Sequence, residues 1–194
     1  GTTGAFSFHP LKNLNVWGDG GIIVTNSETL AEKLRMLRNH GLKSRDECEF
    51  FGYNSRLDSI QAVVASHMLL KIEKITASRI SNAIMLDRGL SGIEKIYVPE
   101  RIKGSKEVFH LYCIQVENRD GLLNYLHTHG IDAKVHYRKP VHLQAASRTL
   151  GYKIGDFPVA ERLANSTISL PVHEFVKRED LEEMISLIWK FYEK

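Results

Sequence analysis

Ser7-Phe8-His9-Pro10-Leu11-Lys12-Asn13-Leu14-Asn15, running on to Gly18-Asp19-Gly20-Gly21, sets one lysine in an apolar, turn-forming context. Phe6 and Phe8 flank a serine in what reads as a buried strand end, and Pro10 disfavours helix for His9 before it. Lys12 follows five residues after Ser7. An amine in such a place is partly withdrawn from water, and water is what favours the ammonium over the neutral form that attacks a carbonyl carbon. An ordinary loop lysine is a solvated charge and needs no such setting.

Working outward, the paired glycines supply a tight turn into an apolar strand over residues 22–25. Asn26-Ser27-Glu28 offers capping chemistry, and Leu30, Leu34 and Leu37 recur at helical spacing, so an amphipathic helix is expected to about Arg38, with Gly41 past its end. Residues 42–51 are polar and irregular and read as a loop. Asp58-Ser59-Ile60-Gln61 has the form of a capping box, and Ile60, Val63, Val64, Met68 and Ile72 form the apolar face of a run without proline that reaches about Leu90. A helix of roughly 30 residues is longer than an ordinary globular one and is expected to link two domains, with or without a break.

Beyond it the texture becomes that of an α+β domain. Strands are expected over 96–98, over 108–116, where nearly every residue is apolar as in a strand covered on both faces, and over 131–137. Asp120 is a candidate cap for a helix over 121–128 that Gly130 ends. Helices are expected over 157–166 and at the C-terminus, where Leu181, Met184, Ile185, Ile188 and Phe191 share one face. The division expected is therefore residues 1–75 and 76–194.

At 194 residues, with 43% hydrophobic and 25% charged content, the composition is that of a soluble globular chain. A formal net charge of +3, scattered along the sequence, does not argue for nucleic acid as a partner. No long apolar run points to a membrane, and Cys48 and Cys113 lack metal or disulfide-framework spacing, so a reducing cytoplasm is the default expectation. His127 and His129, two apart on a helix, face different directions and would not share a metal.

Several motifs then stand in order: Ser7-Phe8-His9-x-x-Lys12, the Gly-Asp-Gly-Gly turn, Asn39-His40-Gly41, Gly52-Tyr53-Asn54-Ser55-Arg56-Leu57-Asp58, Gln61-Ala62, His136-Tyr137, Pro140-x-His142, Gly155-Asp156-Phe157-Pro158-x-Ala160-Glu161 and Ser169-Leu170-Pro171. Together they resemble the DegT/DnrJ/EryC1/StrS family of sugar aminotransferases across nearly the whole chain. The resemblance implies an α/β fold: the C-terminal part of a fold-type I, aspartate aminotransferase-like transferase, with the end of its large domain followed by a small α+β domain. On this comparison about half of the enzyme, including the carboxylate that pairs with the cofactor ring, lies upstream of Gly1.

By the same resemblance Lys12 carries pyridoxal 5'-phosphate and later moves a proton, and Ser7 contacts the phosphate. Asn54 reaches the phosphate of the neighbouring subunit's cofactor, which makes a homodimer with shared active sites a requirement. The substrate implied is a ketosugar, nucleotide-linked, with glutamate as amino donor, in surface polysaccharide or secondary-metabolite biosynthesis. His9, Arg56, His136, Tyr137 and His142 match positions near the substrate. Each also has a plainer reading: packing for His9, a turn residue for Asn54, and an ion pair with Asp58 for Arg56. Val16-Trp17-Gly18-Asp19 stands where many relatives have Thr-x-Gly-Glu, which leaves the carbon that is aminated open. Family dehydratases carry histidine in place of this lysine, so Lys12 argues for amino transfer. Ketosugar dehydration on the same scaffold and a non-catalytic regulatory or dimerisation role stay as alternatives.

Overall fold

In the computed structural model, which describes residues 1–193, β1 (Thr3–Ser7) and β2 (Gly21–Thr25) pair antiparallel, with Ser7 opposite Gly21 and Thr3 opposite Thr25. The segment between them is thus the connection of a hairpin. Helix α1 (Glu28–Leu37) begins on Ser27, whose Oγ accepts the N–H of Leu30 at 3.3 Å, as the capping chemistry predicted. After it, Gly41 adopts φ +74°, and the backbone N–H groups of His40 and Tyr53 donate to Tyr53 O (2.8 Å) and Leu37 O (2.7 Å). These bonds close the base of the 42–51 loop. A side chain at Gly41 would be driven into the Phe50 carbonyl, so glycine is required here by both conformation and space.

The long helix is two: α2 (Ser59–Leu69) and α3 (Ile72–Leu90). The N–H of Lys71 donates three residues back to Met68 O, a tightened turn that ends α2 without help from glycine or proline. The expected capping box at its start does not form. Asp58 occupies the N-cap position without a side-chain bond, and Gln61 turns instead to the N–H of Trp17, 2.8 Å from its Oε1. The apolar face of α2 is also only partly used: Val64 is buried in a small core with Phe8, Val16 and Ala65, whereas Ile60 and Val63 remain exposed.

The chain divides into two compact units, Gly1–Glu73 and the part from Lys74 onward. The second contains an antiparallel sheet of order β3 (Ile96–Tyr97), β4 (Tyr112–Val116) and β5 (Thr167–Leu170), with helices α4 (Arg119–Thr128), α5 (Pro158–Ser166) and α6 (Arg178–Tyr192) and two short 3-10 turns at 141–143 and 145–150. Its core joins Leu86 and Leu90 of α3, Tyr112 and Ile114 of β4, Leu122 and Leu126 of α4, Ile168 of β5, and Leu181, Met184 and Ile188 of α6. Among the described residues no helix is long and apolar enough to cross a membrane.

Four expectations fail here for identifiable reasons. The strand expected over 108–116 starts only at Tyr112, because the carbonyls of Phe109 and His110 accept from Arg79 Nη1 (3.1 and 3.4 Å) and Phe109 takes φ +46°. Within β4 burial alternates, so it is covered fully on one face only. The strand expected over 131–137 reduces to one bridge, Lys134 to Ser169. Asp120 lies inside the first turn of α4 and pairs with Arg119 (2.8 Å) and Arg138 (2.6 Å) rather than capping. Strand β5, short and flanked by a helix and a proline, carried no period of its own in the sequence.

One ionic knot holds the 99–111 segment. Arg101 grips Asp87 of α3 with two nitrogens (Nη2–Oδ1 2.7 Å, Nε–Oδ2 3.0 Å) and Glu107 with a third (3.0 Å), while the buried Tyr112 hydroxyl donates to Asp87 Oδ1 at 2.8 Å. Burial and this neighbouring carboxylate push the Tyr112 phenol far up from its ordinary range.

Candidate active site

The hairpin connection is fixed at several points by its own backbone. Phe8, buried, donates its N–H to Gly20 O at 2.8 Å and accepts from Val16 N–H at 2.9 Å. Gly21 lets the strands approach: a Cβ there would sit 2.9 Å from Phe6 O. Within this frame Ser7 is exposed, and its Oγ accepts the N–H of His9 at 3.2 Å, which leaves the hydroxyl hydrogen to donate elsewhere. Nδ1 of His9 accepts from Leu11 N–H (3.2 Å), so the hydrogen of the neutral ring belongs on Nε2.

Lys12 is half-buried. Its N–H donates to His9 O at 2.8 Å and its carbonyl accepts from Asn15 Nδ2 at 2.9 Å, so its main chain is held from both sides. Ser7, His9 and Lys12 therefore belong to one turn, with a hydroxyl donor and a primary amine in a shared, pinned segment. In the sequence Gln61 reads as a capping residue and as part of the Gln61-Ala62 motif. Through Trp17 it ties this turn to α2, and no local pattern reveals a bond across 44 positions.

Asn54 and Arg56 form a second group. Arg56 Nε donates to Asn54 Oδ1 at 3.2 Å rather than to Asp58, and Asn54 bridges to Asn39 through the backbone. With its oxygen engaged, the Asn54 amide has its NH₂ as the donor end. Arg56 also lines, with Arg35, Arg38 and Lys43, a basic concavity of about 860 Å³ that Glu32 and Glu49 share.

The remaining candidates lie in the second unit and have separate partners. His136 Nδ1 sits 2.9 Å from Ser169 Oγ, and its imidazole is pushed below its ordinary range first by burial and then by Lys134. Tyr137 is exposed, edge-on to the His136 ring. His142 faces inward: Nε2 lies 3.0 Å from Glu161 Oε1 and its ring packs on Phe157, centroids 4.8 Å apart. Glu161 in turn accepts the Gly155 N–H with both oxygens (2.8 and 3.1 Å), and that bond, with His142 and the Phe157 N–H, holds its carboxyl below the usual carboxylate range. His142 thus braces the 151–157 loop. The pair His127 and His129, set aside as metal ligands, each turn to backbone carbonyls, Ala133 O and Tyr125 O.

The model of the DegT/DnrJ/EryC1/StrS aminotransferase family matches residues 1–188. The "Pleiotropic regulatory protein" of Geobacillus stearothermophilus is 39% identical over 194 residues, covering 99% of this chain and 52% of that protein. The dTDP-3-amino-3,4,6-trideoxy-alpha-D-glucose transaminase of Streptomyces venezuelae is 37% identical, covering 98% of this chain and 50% of its own length. Among solved structures, that of S. venezuelae DesV in complex with a ketimine intermediate superposes with a TM-score of 0.96 at 37% identity, over 100% of this chain and 53% of that one. The chain spans about half the length of these relatives. From the pinned lysine turn at one end to the α+β unit at the other, it belongs to the DegT/DnrJ/EryC1/StrS aminotransferase family and carries its fold-type I architecture.

Proposed function

We propose that the complete protein is a pyridoxal-phosphate-dependent aminotransferase that replaces the carbonyl oxygen of a nucleotide-linked ketosugar with an amino group, taking nitrogen from an amino acid such as glutamate. The observation that carries this reading is Lys12: a half-buried lysine whose main chain is fixed by His9 O and Asn15 Nδ2, in the same turn as a serine hydroxyl with a hydrogen to give. That donor set suits a ligand bearing an aldehyde at one end and a phosphate at the other. Pyridoxal phosphate, when bound, supplies that aldehyde and an electron-withdrawing ring.

The chain's residues then divide the work. Lys12 Nζ would hold the cofactor through its aldehyde and, as general base and acid, would take and return a proton. Ser7 Oγ–H donates to phosphate oxygen. Asn54, its Oδ1 engaged by Arg56 Nε, offers its NH₂ to the phosphate bound by a neighbouring copy, so the working form is a homodimer. His9 Nε2–H, Arg56 and the second unit's His136 and Tyr137 are donors suited to sugar and phosphate oxygens. His142, committed to Glu161, acts on the substrate only through the loop it braces.

Borohydride reduction of the full-length protein loaded with pyridoxal phosphate, followed by peptide mapping, tests this. Covalent label on Lys12 is expected, and label on any other lysine overturns the mechanism. One relative's name favours a second, regulatory reading. Loaded protein that traps the label on Lys12 yet moves no nitrogen from glutamate to any ketosugar would support that one instead.

A further inference from the structure

Three side chains outside the lysine turn form an unbroken hydrogen-bonded line. Cys113 and Ser169 face each other across β4 and β5 in direct register, and their side chains meet with Sγ 3.0 Å from Oγ. The 131–137 segment joins the same spot, since Lys134 and Ser169 exchange backbone hydrogen bonds of 2.9 and 2.7 Å, and two residues later His136 Nδ1 comes within 2.9 Å of Ser169 Oγ. Ser169 is buried, only 5% exposed, and Cys113 and His136 are half-buried.

The hydrogens in this line can be counted. Ser169 has one to give and Cys113 has one. With the thiol donating to Ser169 Oγ and the hydroxyl donating to His136 Nδ1, each hydrogen has an acceptor and each acceptor a hydrogen. The reverse order, with Nδ1–H donating to Ser169, sends the hydroxyl to sulfur, a weak acceptor, and leaves the thiol hydrogen to find another partner. The favoured order puts the imidazole hydrogen on Nε2, away from the sheet. Burial and the cation of Lys134, itself paired with Asp132 at 2.9 Å, both push the imidazole below its ordinary range, toward the neutral form.

We infer that Ser169 and Cys113 are positioning residues: they hold His136 as a neutral ring with Nδ1 accepting, so that it presents a fixed Nε2–H donor to an oxygen of the sugar substrate. This rests on the sugar aminotransferase reading above. A hydroxyl at position 169 and a hydrogen donor at position 113 are what the relay needs, and neither touches substrate itself.

The test uses full-length protein labelled with ¹⁵N-histidine, the His136 signals being assigned by their loss in His136→Gln. The expected spectrum shows Nδ1 without a proton, unchanged in Ser169→Thr and in Cys113→Ser, and a mixture of tautomers in Ser169→Ala. An Nδ1–H ring in the unmodified protein, or an unaltered tautomer in Ser169→Ala, overturns the relay. Should Ser169→Ala not fold, the unmodified spectrum and Cys113→Ala, which shifts the balance in the same direction by less, still decide it. In steady-state assays Ser169→Ala raises KM for the ketosugar several-fold while kcat moves less, and Ser169→Thr restores it. If the tautomer responds as expected but KM does not, the relay stands and the placing of His136 at the sugar falls.

Discussion

Among the described residues, Lys12 differs from the other lysines in having its main chain fixed on both sides while the residue is half-buried. On the function proposed above, Lys12→Ala would remove both the attachment point and the proton carrier, and amino transfer by the full-length protein is expected to fall by about 10²–10⁴-fold, at the level of a lost general acid–base group. Folding, followed by circular dichroism, should be unchanged. Gly41→Ala acts through geometry alone: the φ of +74° and the Phe50 carbonyl leave no room for a methyl group. A loss of more than about 2 kcal/mol in denaturant unfolding is expected, in the class of changes made at a special backbone conformation. Glu161 gives a pH signature. Its folded carboxyl is held below the ordinary range, so its contribution to stability is complete above the unfolded pKa and lost as pH falls through the lower folded one. Thermal melts of Glu161→Gln against pH should lack that part of the acid decline.

At the scale of elements, helices were legible in the sequence because a 3.6-residue period is local. The Ser27 start of α1, the arrest at Gly41 and the apolar seam of α6 could all be read from neighbours within one or two turns. Strands were less so. Whether residues 108–111 pair is decided by Arg79, some 30 positions earlier, and whether 131–137 pairs is decided by Ser169. In the same way the lysine turn was visible as a motif, whereas Gln61, Cys113 and Ser169 reveal their hydrogen bonds only once the chain has folded back. The Asp87–Arg101–Tyr112 knot belongs to this long-range class, and it and the core beside it each yield a prediction. Tyr112→Phe removes one donor to a charged acceptor and should cost about 1.5–3 kcal/mol in chemical unfolding. Leu86→Ala, at a fully buried position on the same helix, should cost about 2–5 kcal/mol by leaving a cavity.

At the scale of the molecule, the two units differ in how much they bury. From Lys74 onward one continuous core runs through α3, the sheet, α4 and α6, while in Gly1–Glu73 the buried cluster is Phe8, Val16, Val64 and Ala65. Phe6, Leu11, Trp17, Phe51, Tyr53, Ile60 and Val63 of that first unit stay open to solvent. So small a core supports little independent stability. Limited proteolysis of these 194 residues alone should therefore cut first within 42–58 and leave a resistant fragment beginning near α3. Equal resistance of both units would contradict this. The Gln61–Trp17 bond carries one last consequence. The turn that presents Lys12 is closed by its own backbone and is tied besides to a helix more than forty residues further along. Loosening of α2 alone should therefore raise amide exchange at Trp17 before it reaches the hairpin's own bonds.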